Sequence, residues 1–206
     1  MKGAPPILKK LLMVTGLISL AVLLGFLSGC GGESKSTTTT TASAVPFDRA
    51  FIDTMVPHHR SAIEMAKAAQ EAGLSSPALN SVALSIIESQ QQEIDRMLRW
   101  RKDWYGSTKI DPNAGHELGM SEAGMGMNHN MNDLKDGNID GTFASMMIGH
   151  HEGAIRMAEL ALERAQHSEL KTLAHQIIAA QKREVKIMKP FAGTGSDHTG
   201  TGMNMG

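Results

Sequence analysis

Two pairs of adjacent histidines, His58-His59 and His150-His151, are the residues of this 206-residue chain best suited to chemistry, and a methionine precedes each pair by three positions, at Met55 and Met147. Imidazole serves copper in either oxidation state, and thioether sulfur is a soft ligand that favours Cu(I). The two sets are copies of one another. At a constant offset of 92, Phe51, Met55, His58, His59, Ala62, Ile63, Met65 and Ala66 meet Phe143, Met147, His150, His151, Ala154, Ile155, Met157 and Ala158. Downstream the repeat continues at an offset of 91, pairing Leu79, Ala83, Ile86, Ile87, Gln90, Glu93 and Met97 with Leu170, Ala174, Ile177, Ile178, Gln181, Glu184 and Met188. A lone core-facing histidine is usually structural, held by one hydrogen bond. Adjacent histidines that recur in a duplicated unit point instead to a metal.

The elements that must position these residues read as four helices. Phe47, Phe51, Met55, Ala62, Ala66 and Ala69 are spaced as one helical face, and Gly73 suits the stop. Ser76-Pro77 supplies an N-cap and a proline in the first turn of a second helix, which reaches about Tyr105. A third helix is expected from about Gly141 to Ala165, and a fourth from a cap at Ser168 to a stop before Pro190. No stretch alternates with period two, so the predicted fold class is all-α. The simplest arrangement is an up-down-up-down four-helix bundle, built from a duplicated helical hairpin and occupying residues 45–191. Its short hinges put Glu93 level with His58 and His59, Met97 level with Met55, Glu184 opposite His150, and Met188 opposite Met146 and Met147. In that topology the two sets gather at one end of the bundle. A carboxylate on an apolar face is costly unless paired, and a histidine or its metal would satisfy it. Pro57 and Gly149 precede the two histidine pairs, and Pro57 is expected to kink its helix there.

Methionine is the second signal, with 15 in the chain. A Met/His-rich loop at 107–138 holds His116, Met120, Met125, Met127, His129 and Met131 among Gly and Asn, and a tail at 192–206 holds His198, Met203 and Met205. Flexible segments of this kind outside the cytoplasm resemble copper-collecting arms. Within the helices, Met65, Met97 and Met157 also suit ordinary core packing.

Residues 1–29 read as an export signal, with Lys2, Lys9 and Lys10 ahead of an apolar stretch. It ends in Leu27-Ser28-Gly29-Cys30, which resembles a bacterial lipoprotein cleavage box that would make Cys30 the lipidated first residue of the mature chain; the other reading is an uncleaved transmembrane anchor, for which 17 apolar residues sit at the short limit. Cys30 is the only cysteine, which excludes an internal disulfide. Residues 30–44 have the Gly, Ser and Thr composition of a flexible tether. Without the signal the chain keeps 17 Lys+Arg against 21 Asp+Glu, a formal charge of −4 mixed along helix surfaces, so nucleic acid is not an expected partner.

The pattern Met-x-x-His-His-x-x-Ala-Ile-x-Met-Ala, followed by Ile-Ile-x-x-Gln-x-x-Glu-Ile-x-x-Met, resembles domain-of-unknown-function family 305. It stands here at residues 55–66 with 86–97 and again at 147–158 with 177–188, where Val185 replaces the Ile of the first copy. The resemblance spans roughly residues 47–191. It implies a ferritin-like bundle and, through exported members of the CopM type, copper binding and tolerance. The expected protein is thus a membrane-anchored copper binder that sequesters, buffers or transfers copper, with Cu(I) favoured over Cu(II). His58, His59, His150 and His151 would supply nitrogen and Met55, Met97, Met147 and Met188 sulfur, while Glu93 and Glu184 orient the imidazoles. One alternative is a ferritin-like dinuclear-metal oxidoreductase, which the lack of any Glu-x-x-His disfavours. The other is an interaction module without metal. A metal-transfer partner and a homo-oligomer are both compatible with the sequence.

Overall fold

The computed structural model describes residues 45–193 apart from Asp136. They form α1 (Phe47–Ala72), α2 (Pro77–Tyr105), a short α3 (Ala114–Glu117), a 3₁₀ turn (Met131–Lys135), α4 (Ile139–Arg164) and α5 (Ser168–Met188), with no strand among them. The signal, Cys30, the tether and the tail residues His198, Met203 and Met205 lie outside the described residues.

Local chemistry sets the ends of these helices. Gly73 takes φ 101°, a left-handed conformation that closes α1, and the Leu74 N–H returns to the Ala69 carbonyl. The Ser76 side chain accepts from the Leu79 N–H ahead of α2, and the Asn138 side chain accepts from the Gly141 N–H to open α4. At α5 the expected cap does not form. His167 occupies the cap position without a side-chain cap bond, and the Asp48 carboxylate, reaching across from α1, accepts from the Gln166 and His167 N–H groups instead. The distant carboxylate thus holds the N–H groups just ahead of the helix, while those of Leu170 and Lys171 in its first turn reach the His167 carbonyl. α1 continues as a helix through Pro57.

The four long helices form the expected all-α bundle, but their directions differ from up-down-up-down. Asp48, at the start of α1, binds the end of α4, while Ser75, just past α1, donates from N and Oγ to Asp140 at the start of α4. α1 and α4 are therefore antiparallel. Ser85 meets Glu184 and Arg96 meets Gln176, which makes α2 and α5 antiparallel too. The order is up-down-down-up, the ferritin-like arrangement with one long crossover. The reason lies in residues 106–138. A 26-residue helix is about 40 Å long, and this connection is long enough to climb it.

It climbs as folded structure rather than as the expected flexible arm. Arg101 forks onto Asp53 at 2.7 and 3.2 Å and also donates to the carbonyls of Ser107 and Lys109, tying the start of the connection to α1. Leu118, Met125 and Leu134 are then buried in turn along the bundle. The core has two apolar clusters. One joins the start of α1 to the end of α4 through Phe51, Ile52, Met55, Met97 and Ala161. The other joins the end of α1 to the start of α4 through Met65, Ala69, Phe143, Met147 and Met188. Phe51 and Phe143, equivalent in the repeat, are both fully buried, each contributing roughly 1.5–3 kcal/mol.

Candidate metal centre

His58 and His150 meet between the two clusters. Each is the twelfth residue of its helix, so antiparallel packing brings the two copies of the motif together at mid-bundle, not at one end. The rings lie 3.8 Å apart, centre to centre, and are 1% and 0% exposed. His58 Nε2 donates to the Met125 carbonyl at 2.8 Å, which leaves Nδ1 with a lone pair and no partner. Neither nitrogen of His150 has a hydrogen-bond partner. Burial, reinforced by the neighbouring His59, pushes His58 down to about 3, and burial followed by His58 holds His150 well below the usual imidazole range. Both rings are neutral at physiological pH, the form that binds metals.

His59 and His151 stand on either side of this pair. His59 Nε2 lies 2.7 Å from Glu93 Oε2, and His151 Nε2 lies 2.7 Å from Glu184 Oε2. With Nε2–H donating to the carboxylate, Nδ1 of each ring is left buried and unpartnered. Arg96 approaches Glu93 at 3.9 Å, whereas Ser85 donates to Glu184 at 3.2 Å. Unmet buried polar atoms each cost about 1–3 kcal/mol, and here they concentrate on the repeated histidines.

The connection covers the histidine pair. An added Cβ at Gly153 would stand 1.8 Å from the Met125 carbonyl oxygen, and one at Gly126, where φ is +73°, would stand 2.2 Å from the Gly149 oxygen. Only glycine permits this contact between the connection and α4. His129 is carried to within 5.7 Å of the His150 ring, and its Nε2 pairs with Ser61 Oγ at 3.2 Å. Two pockets flank the crossing. One, of about 210 Å³, is lined by His58, His116, Met120, Met125 and Met127. The other, of about 740 Å³, is lined by His129, Asp133, Met146, Gly149, Glu152 and Arg156.

The helical methionines are not all brought together. Met55 and Met97 share one cluster and Met147 and Met188 the other, on opposite sides of the histidine layer, and all four are fully buried. The physical reason is again antiparallel packing, which sends residues one turn before His58 and His150 toward opposite ends. Met131 packs against the second cluster. No three His, Cys, Asp or Glu side chains among the described residues converge to hold a metal unaided. What converges is two imidazoles with a third nearby. Cu(I), a d10 ion, accepts such two- and three-ligand sets.

The residues 48–192, and also 28–77, match the family described as "Domain of unknown function (DUF305)". The chain belongs to the DUF305 family. Among solved structures it is similar to the Cu(I)-bound form of CopM, at 29% identity over 70% of this chain and 94% of that one, with a TM-score of 0.58. The apo form of CopM matches at 31% identity, over 70% and 94% of the two chains, with a TM-score of 0.55. A putative secreted DUF305 protein from Streptomyces coelicolor matches at 25% identity, over 69% and 90%, with a TM-score of 0.62. No curated protein matches.

Reading the sequence missed three features of the site. The Met125 carbonyl leaves no mark in residue type. Gly153 on α4 and Gly126 in the connection, where an added Cβ would meet the facing backbone, were a legible sign of close backbone approach. Gln90 and Gln181 occupy equivalent repeat positions and are buried at 2% and 3% exposure, with both polar atoms of Gln90 and Oε1 of Gln181 unpartnered. The contacts Ser85–Glu184 and Arg96–Gln176 set a register that places these two glutamines level across α2 and α5.

Proposed function

We propose that this protein is an exported, membrane-anchored copper binder that sequesters, buffers or passes on Cu(I), without enzymatic turnover. The observation that supports it most is the His58–His150 pair, two buried neutral rings in contact with three of their four nitrogens unpartnered. A soft cation bound there would take the lone pair of His58 Nδ1 and that of one His150 nitrogen without introducing a carboxylate, the other His150 nitrogen carrying the ring proton. His59 and His151, oriented by Glu93 and Glu184, extend the nitrogen set on each side, and His129 reaches it from the connection. Fully buried Met55 and Met147 hold sulfur one helical turn away. Cu(II) suits the imidazoles alone.

Lipidation at Cys30 and the tether that follows would hold the bundle off the membrane on its extracytoplasmic face. No helix of the described residues is long and apolar enough to cross a membrane; the anchor in this proposal is the lipid on Cys30.

The test is a competition titration of the mature chain against a chromophoric Cu(I) chelator, with a His58→Ala/His150→Ala variant whose helical content is checked by circular dichroism. The wild type is expected to withdraw Cu(I) from the chelator and the folded variant to lose that ability. Equal withdrawal by both proteins would overturn the assignment.

A further inference from the structure

The pocket between the connection and α1 has a chemistry that core packing does not require. Met120 and Met127 are partly buried, with one side on the apolar cluster and the other on the pocket, and Met125 and His116 line it beside them. An added Cβ at Gly115 would stand 3.1 Å from Met125 Cε and 3.6 Å from its Sδ, so the chain leaves room here for that thioether. His58 also lines this pocket, and its Nε2 donates to the carbonyl of the same Met125. One residue therefore touches both the buried ring and the outer pocket. Of the two carboxylates in the lining, Asp53 is matched by Arg101, and Glu122 leaves the mouth favourable to a cation. The pocket across the connection is harder, with Asp133, Glu152 and Arg156.

We propose that the Met120–Met125–Met127 pocket, with His116, is a separate docking site for Cu(I), from which the ion passes to His58. Three thioethers and an imidazole form a soft, neutral ligand set. The transfer is a ligand exchange in which copper stays Cu(I), thioether sulfur leaves and imidazole nitrogen enters, with no electron or proton moved. The inference rests on the copper reading of the buried histidines, but the two can fail separately.

The experiment is an anaerobic Cu(I) titration of the mature chain carrying 13C-methyl methionine and 15N histidine, followed by NMR, with Ag(I) as a redox-inert second probe. A Met120→Leu/Met127→Leu variant keeps the volume and apolarity of the pocket. In the wild type the methyls of Met120, Met125 and Met127 are expected to shift with the first additions. The variant should lose the Met125 shift and load the His58 ring at least about tenfold more slowly, the scale on which even outer partners of a metal act. Silent pocket methyls, or a variant that loads at the wild-type rate, would overturn the docking site. Pocket methyls that shift while the His58 and His150 rings stay still would support the docking site but overturn the transfer to His58 and sink the buried site.

Discussion

Replacing His58 by Gln should remove a specific acid sensitivity from the apo protein. In the folded chain the His58 imidazole is pushed down to about 3 from an ordinary 6.5. Above pH 6.5 the ring is neutral in both folded and unfolded chains, so it makes no pH-dependent contribution. As pH falls below 6.5 the unfolded chain takes up the proton first, and stability drops by about 1.4 kcal/mol per pH unit until the folded ring protonates near pH 3. At pH 4.5 the deficit is two units, or about 3 kcal/mol. With a urea dependence of ~2 kcal/mol per molar, that lowers the midpoint by about 1.5 M. Gln keeps a donor for the Met125 carbonyl and cannot titrate. Urea unfolding of both proteins at pH 7.5 and 4.5, without metal, isolates the effect, because the carboxylates titrate alike in each. The wild type should lose about 3 kcal/mol more than His58→Gln across that interval. Equal losses would refute the claim that His58 is sealed as a neutral ring, and with it the description of the site as a pre-deprotonated ligand pair.

Gly153→Ala drives a Cβ into the Met125 carbonyl at 1.8 Å, so it should cost about 1–3 kcal/mol in urea unfolding and release His58 from its acceptor, visible as a shifted ring resonance. Arg101→Ala leaves the buried Asp53 carboxylate with only Arg49, at 3.6 Å, and is expected to cost about 1.5–3 kcal/mol, with the connection becoming the first segment to exchange its amide protons. Cu(I) at a hundredfold excess over its dissociation constant should stabilise the wild-type fold by about 2.7 kcal/mol, raising the thermal midpoint by about 5–10 °C, and a chelator should reverse the shift. Cys30→Ser should move the protein from the membrane to the soluble fraction of cells expressing the full chain, as read by fractionation and immunoblot.

Helix type, length and hairpin pairing were legible because local signals determine them. The Ser76-Pro77 start, the Gly73 stop and the shared apolar spacing of Leu79, Val82, Ala83 and Ile86 each act within a few residues. The hairpin register that set Glu93 beside His59, and Glu184 opposite His150 where the structure pairs it with His151, also depends on short hinges. Helix direction was not legible, because residues 106–138 can either cross the end of the bundle or climb its side. Distant pairs such as Asp48 with His167 and Ser75 with Asp140 distinguish these routes, and no local pattern announces them. The same limit applied to the connection, whose Gly, Asn and Met composition suggests a flexible arm until Leu118, Met125 and Leu134 find their places against α1 and α4.

The antiparallel order explains which duplicated residues can share a site. Two equivalent antiparallel helices are related by an axis across them, and only residues near that axis meet their own copies. His58 and His150, each twelfth in a 26-residue helix, lie near it and touch. Met55 and Met147, one turn earlier, diverge into opposite clusters. The repeat thus yields a symmetric imidazole pair flanked by sulfur, with neither side of the pair distinguished by the helices. The connection occurs once, and it breaks that equivalence. It places the Met125 carbonyl and a pocket lined by Met120, Met125 and Met127 on the His58 side, and His129 with the pocket lined by Asp133, Glu152 and Arg156 on the His150 side. The proposed passage of Cu(I) from the methionine pocket to His58 needs such a difference between the two sides of the pair, and the single-copy connection is the element that makes them differ.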